Sequence, residues 1–202
     1  MLTLRYSPTS PFVRKVRIAA DLLGLTDQIR LEDADTLDPA DPLRGQNPLG
    51  KIPILLLEDG AVLYDSRVIV EYLDERAGGG RLIPAGRERF AALTHQALAD
   101  GLMDAALLQV YEVRYRPDET RRDPGWVAHQ GEKVERALAF LEGGEREPTE
   151  HLHIGHVAQA CALGYLDLRF EGRWREEYPR LVVWLDAFRA RVPAFAATRF
   201  TP

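Results

Sequence analysis

A chain of 202 residues has room for one large domain or two small ones, and its 46% apolar and 28% charged content is that of a globular protein with a buried core. Its net charge of -5, with basic residues scattered among acidic ones, offers no continuous positive field for a phosphate backbone and argues against nucleic acid as a partner. The opening residues lack the apolar stretch of a secretory signal, the longest apolar run (Ile52 to Leu57) is far too short for a bilayer, and the lone Cys161 leaves no disulfide or CxxC pair, so a cytoplasmic protein with no membrane partner is expected.

In chain order, Leu2 to Tyr6 has the pattern of a strand, Pro11 to Leu23 of a helix stopped at Gly24, and Ile29 to Glu32 of a second strand. A helical connection makes those two strands parallel. Ile52 to Leu57 and Val62 to Leu63 follow, joined through Glu58-Asp59-Gly60, whose turn chemistry suits an antiparallel hairpin. Ser66 to Arg76 closes the segment as a helix. The expectation is therefore a β-α-β then β-β-α unit with a mixed sheet over residues 1–78, ended by Gly78-Gly79-Gly80. Residues 87–202 contain helical spacing only: 87–116, 124–143, 154–170, 179–191 and a short piece from about 194, separated by proline and glycine breaks. This second domain is expected to be all-α. Cys161, set among alanines and leucine, reads as a small buried hydrophobe.

Three segments in the first domain can carry chemistry. Ser10-Pro11 heads the first helix, where serine is a good N-cap and proline fits the first turn. The same place has free backbone N–H groups and the positive helix end, so a hydroxyl there can also donate to a thiolate. In Asn47-Pro48-Leu49-Gly50-Lys51-Ile52-Pro53, a proline opens the third strand. It is either an ordinary strand start or, with a cis bond before it, a device that exposes the Ile52 backbone to an extended peptide. Lys51 is either solvated or turned to a ligand carboxylate. Asp65-Ser66 heads the third helix, either as a plain cap or as the seat of a zwitterionic amino-acid group.

In this order, the three segments resemble the glutathione transferase superfamily. The likeness continues through Val68 to Asp74, Ala162 to Asp167, and Tyr178-Pro179 to Val192-Pro193, and covers nearly the whole chain. It implies a thioredoxin-like N-terminal domain, an all-helical C-terminal domain, and glutathione as co-substrate without a metal. It also implies a homodimer formed through the helical domain and a cleft between the domains for a hydrophobic electrophile. The Ser10-Pro11-Phe12 start resembles the serine-type, tau-like and bacterial members, which makes Ser10 the thiol contact, with Tyr6 and Thr9 as alternates. Ile52 becomes the backbone partner of the cysteinyl unit and Pro53 the cis-proline. Asp65 and Ser66 take the γ-glutamyl group, and Lys51 the glycyl carboxylate. No cysteine stands at position 10, which disfavours mixed-disulfide chemistry.

The sequence departs from the family before the helix at 154, where His153 and His156 fill places usually held by Ser or Thr and, three residues on, Asp. Imidazole nitrogens can serve there if the tautomer suits. His151, His153 and His156 lack a carboxylate or cysteine at recognisable zinc spacing, so no metal is expected. On the long fourth helix, Asp100 and Asp104 share a face, and Asp100 either meets the glutathione ammonium or a group across a dimer, or is structural. Tyr111 and Tyr115 repeat that spacing and either line the electrophile cleft or pack. The leading expectation is conjugation of glutathione to hydrophobic electrophiles. The alternatives are a non-catalytic ligand-binding scaffold and a glutathione-dependent isomerase or peroxidase.

Overall fold

The computed structural model describes residues 1–144 and 151–200, so 145–150 and 201–202 of the expected helical domain lie outside the described residues. Strand β1 (Leu2–Tyr6) is buried on both faces, with Leu2 and Leu4 at 0% exposure and Thr3 and Arg5 also covered. That burial follows from its inner place in the sheet order β2-β1-β3-β4. Strand β2 (Ile29–Asp33) runs parallel to β1 after the crossover helix α1 (Pro11–Leu22), with Leu4 opposite Leu31. Strands β3 (Ile54–Leu56) and β4 (Val62–Leu63) are antiparallel to their neighbours. The expected run from Ile52 enters the ladder only at Ile54, because Pro53 has no N–H to contribute.

Helix α1 buries Val13, Val16, Ile18 and Ala19 and packs against α3 (Ser66–Arg76), which turns Ile69, Val70 and Leu73 inward. The expected helix end at Gly78 to Gly80 is organised by Asp74. Its buried carboxylate accepts from the backbone N–H of Gly80 at 2.8 Å, Arg81 at 3.1 Å and Leu82 at 2.7 Å. Between β2 and β3 lies α2 (Leu43–Gln46), a single turn too short to show a sequence period. Leu43 packs there with Ala34 and Ile54. Buried Arg5 reaches across to Glu32 at 2.9 Å and Asp41 at 2.6 Å. Burial acts to raise the Asp41 pKa, but hydrogen bonds from the Asp35 and Leu43 N–H groups and the Arg5 charge outweigh it and hold the carboxyl below its ordinary value.

The chain divides into two compact units, Met1–Ala92 with Val192–Pro202, and Leu93–Arg191. The closing segment, grouped with the helical domain on sequence periodicity alone, thus belongs with the sheet. Its short helix α9 (Pro193–Ala197) packs on α1, where the Arg14 guanidinium sits 4.0 Å from the centre of the Phe195 ring and donates to the Phe195 carbonyl. The long helix α4 (Arg87–Tyr115) begins in the first unit and continues in the second. With it in the second unit are α5 (Pro124–Glu142), α6 (Ile154–Arg169), α7 (Trp174–Glu177) and α8 (Pro179–Arg191), and no strand among the described residues. Helix α6 is enclosed on nearly every side from Ile154 to Leu163, and Cys161 is among its fully buried residues. This is a thioredoxin-like mixed sheet with helices followed by a helical domain. No helix among the described residues is long and apolar enough to cross a membrane.

Candidate functional site

The sheet register brings the three N-terminal segments to one end of the sheet. Arg5 stands opposite Ile54, so the residues just after β1 lie beside those just before β3. Leu63 stands opposite Leu55, which returns the residues after β4 to the same end. Ser10, Ile52-Pro53 and Asp65-Ser66 all lie in these flanking segments.

Ser10 is the N-cap of α1, with extended backbone and its Oγ accepting from the Val13 N–H at 3.3 Å. The side chain is half-buried, and Pro11 follows at the first helical position. As an acceptor from Val13, the hydroxyl keeps its own proton to give. The helix end contributes positive potential to the same point. Tyr6 is differently committed. Its hydroxyl pKa is raised by burial and by a hydrogen bond to Asp33, its partner in the β1–β2 register, while Arg17, 5.9 Å from the ring centre, opposes the shift. A phenol buried beside a carboxylate and held above its ordinary pKa is a poorer stabiliser of a thiolate. Thr9 is half-buried, and its Oγ1 lies 3.4 Å from Ser7 Oγ.

The Ile52–Pro53 peptide bond is cis, as the family resemblance implies, and so is Tyr64–Asp65. Ile52 is half-buried, Pro53 buried and Lys51 exposed. A residue to which sequence reading assigned no role organises this loop. Asn47 is 2% exposed, accepts from the Leu49 N–H at 3.0 Å and donates from Nδ2 to the Lys51 carbonyl at 2.9 Å. It thereby sets the backbone that enters Ile52. The turn also needs a left-handed residue, which Gly50 supplies at φ +62°. The Asn-Pro-x-Gly run carried that signal, since asparagine side chains bond their own backbone two residues on. Asp65 caps α3 by accepting from the Arg67 N–H at 2.9 Å and is exposed, while Ser66 is buried.

In the second unit, the histidines at the head of α6 form a capping box. His153 Nδ1 accepts from the Gly155 N–H and His156 Nδ1 accepts from the His153 N–H, each at 3.1 Å, and the two rings lie tilted by 30° with centres 3.8 Å apart. The third member of the cluster is His95 from α4 rather than His151; its Nε2–H donates to Gln159 Oε1 at 2.6 Å. Nitrogens of His95, His153 and His156 lie within 4.8 Å of one another, which is the raw material of a metal centre. The capping bonds oppose that use. With Nδ1 accepting from the backbone, neutral His153 and His156 carry their protons on Nε2. Ligation through Nε2 would move each proton to Nδ1 and set it against a backbone N–H.

Asp100 is fully buried within the chain at 0% exposure, while Asp104 is exposed. Tyr111 is half-buried and Tyr115 is exposed, with ring centres 5.2 Å apart in an edge-on arrangement.

The comparisons with known proteins agree with this layout. The glutathione S-transferase N-terminal domain model matches residues 9–76 and the C-terminal domain model matches 124–187. The uncharacterized GST-like protein YibF of Escherichia coli K12 is 34% identical over 197 residues, 95% of each chain. A glutathione transferase family member from Pseudomonas fluorescens Pf-5, solved with bound glutathione, is 42% identical over the whole of both chains with a TM-score of 0.92. A further structure from that organism, at 42% identity and TM-score 0.88 over both whole chains, holds S-(propanoic acid)-glutathione. A glutathione S-transferase from Methylobacillus flagellatus KT with glutathione bound is 38% identical over both whole chains, TM-score 0.88. With both domain models matched and a relative above 30% identity spanning nearly all of its length, this chain belongs to the glutathione S-transferase superfamily.

Proposed function

We propose that this protein is a serine-type glutathione transferase of the cytoplasm, a homodimer that conjugates the glutathione thiolate to hydrophobic electrophiles. The observation that carries the reading is the contrast between two hydroxyls. Ser10 caps the α1 N-terminus with its proton uncommitted to a carboxylate, whereas burial and the neighbouring Asp33 carboxylate push the Tyr6 hydroxyl pKa up and hold it protonated. The glutathione bound in the Pseudomonas and Methylobacillus relatives supports the ligand.

In this mechanism Ser10 donates a hydrogen bond to the sulfur and serves as a donor, not a base. Lowering a thiol pKa from about 8.5 to about 6.5 takes roughly 2.7 kcal/mol of preferential thiolate stabilisation, within reach of one charge-assisted hydrogen bond and a helix terminus. The peptide backbone of Ile52 pairs with the cysteinyl unit. Asp65 takes the γ-glutamyl ammonium while Ser66 and the α3 N–H groups take its carboxylate, and Lys51 approaches the glycyl carboxylate. The thiolate then attacks an electrophilic carbon, forming a C–S bond as a leaving group departs with its electron pair. The Pseudomonas relative is solved with S-(propanoic acid)-glutathione, a glutathione substituted on sulfur, which supports a site that accommodates an S-substituent.

The test is glutathione-dependent turnover of an aryl halide or isothiocyanate by wild type and Ser10→Ala. Loss of turnover with glutathione affinity retained supports the assignment, and unchanged turnover removes Ser10 from the chemistry. Tight glutathione binding without turnover of any electrophile in a broad panel would point to the scaffold alternative.

A further inference from the structure

We propose that Asp41 is a positioning residue for glutathione: it joins Arg5 of β1 to the backbone at both ends of the 35–43 loop and so fixes the segment that presents Lys51 and Ile52. The inference rests on the glutathione reading above and adds to it a residue that acts through the loop backbone.

All the groups involved belong to the first unit. From Asp35 to Lys51 only Leu43 and Asn47 are buried, and the apolar hold on the segment is the contact of Leu43 with Ala34 and Ile54. Packing that thin puts a segment among the first parts of a protein to open. Polar bonds supply the rest. Asp41 Oδ1 accepts from Arg5 Nη2 at 2.6 Å and from the Leu43 N–H at 2.8 Å, and Oδ2 accepts from the Asp35 N–H at 2.8 Å. One carboxylate thus ties the start of α2 and the chain leaving β2 to an inner strand of the sheet. From there the hold passes along the chain. The Asn47 N–H donates to the Leu43 carbonyl at 2.7 Å, and the Asn47 side chain fixes the Lys51 carbonyl at 2.9 Å, one residue before Ile52. Arg5 also stands opposite Ile54 in the β1–β3 register, so the anchor pairs with the strand that follows Pro53.

The plain alternative is that Asp41 serves only to neutralise a buried arginine. Arg5 is 3% exposed and does need a carboxylate, but Glu32 already supplies one at 2.9 Å. Two of the three bonds that Asp41 accepts come instead from the backbone of the segment. Charge compensation makes Glu32 and Asp41 equivalent, whereas positioning makes Asp41 alone matter to the ligand.

The experiment sets Asp41→Asn against Glu32→Gln. Each removes one negative charge beside Arg5, but only the first leaves a backbone N–H of the segment facing an amide donor. Glutathione affinity is measured by calorimetry, and KM and kcat with an aryl halide. Asp41→Asn should weaken glutathione binding by about tenfold and raise its KM in step, with kcat at saturating glutathione within about twofold of wild type. Glu32→Gln should leave the affinity within about twofold. Asp41→Ser, which keeps an oxygen for the Leu43 N–H but gives up Arg5, is the second variant and should behave as Asp41→Asn does. A measurement on wild type alone runs beside these. In the free protein the amides of Asp35 and Leu43, which donate to Asp41, should exchange with deuterium at least about tenfold slower than in an unstructured chain.

Unchanged affinity in Asp41→Asn, an equal loss in Glu32→Gln, a fall in kcat without a rise in KM, or unprotected Asp35 and Leu43 amides overturns the inference while leaving glutathione binding intact. Calorimetry reads binding without turnover, so a failure to conjugate any electrophile would defeat the transferase reading and leave this test standing. Wild type that binds no glutathione would defeat both.

Discussion

The histidine capping box makes a quantitative claim about acid stability. His156 is 1% exposed, and its pKa is lowered from 6.5 to about 4, first by burial and then by the charges of His95 on α4 and Arg191 on α8. Trp184 of α8 faces the same ring at 6.2 Å. Because the folded pKa lies below the unfolded value, the unfolded chain binds a proton that the folded chain refuses between pH 6.5 and 4. His156 therefore costs no stability above pH 6.5 and takes away progressively more as pH falls toward 4. At about 1.4 kcal/mol for each pH unit between 6.5 and about 4, less about 0.4 kcal/mol because the folded His156 is itself half-protonated at the lower end, the loss is about 3 kcal/mol at the bottom of that window. Protonation would also place a donor against the His153 N–H and a charge on the ring packed against that of His153.

The assay is urea unfolding of wild type and His156→Gln at intervals from pH 8 to pH 4, followed by far-ultraviolet circular dichroism. Glutamine at this position keeps an oxygen able to accept from the cap N–H but does not titrate. Above pH 6.5 the two stabilities should differ by a constant. Below it wild type should lose ground to the variant, reaching a relative loss of about 3 kcal/mol near pH 4. If the two curves run parallel from pH 6.5 to 4, His156 does not stay neutral in the folded chain and the reasoning fails.

Other outcomes follow from single contacts. Gly155→Ala should destabilise by about 1–3 kcal/mol, because the added Cβ would meet His95 Cβ and Cγ at 2.6 Å, and thermal melts read it directly. Asp74→Ala leaves the N–H groups of Gly80, Arg81 and Leu82 without their acceptor and should cost about 2–4 kcal/mol in denaturant unfolding. Asn47→Ala should raise KM for glutathione severalfold with a smaller change in kcat, since it frees the Lys51 carbonyl and the loop entering Ile52 without touching the sulfur; equal falls in kcat and kcat/KM would deny that positioning role. Zinc added at equimolar concentration should leave the melting temperature unchanged, and a rise would mean that the histidines surrender the cap to bind it.

Long periodic segments were legible in the sequence because propensity and burial point the same way in them. The helix over Ser66–Arg76 and the strand over Leu2–Tyr6 have the bounds their patterns imply. What escaped depends on tertiary partners. The single turn of α2 is held by the burial of Leu43, and the four-residue α7 by burial of Trp174, whose indole N–H donates to Asp167 at 2.9 Å. The place of the last helix was hidden for the same reason: its periodicity says helix, but its packing on α1, with Arg14 against Phe195 and Thr198, groups it with the sheet.

The site was legible to a different depth at each residue. Ser10-Pro11 and Asp65-Ser66 announce themselves because cap chemistry is local, an oxygen two or three residues from the N–H it accepts. That locality is also why spacing alone favours the plain cap over the thiol contact as the use of that serine. What separates Tyr6 from Ser10 as a candidate is a long-range fact, the register that sets Tyr6 beside Asp33, whose carboxylate helps to raise the phenol pKa. The histidine cluster shows the converse. His153 and His156 are three apart and could be read as a cap, but His95 lies about sixty residues away in sequence and enters only because Gly155 leaves room for its ring. One missing side chain on α6 thus admits the imidazole whose charge helps keep His156 neutral, and a neutral His156 is what lets the helix begin.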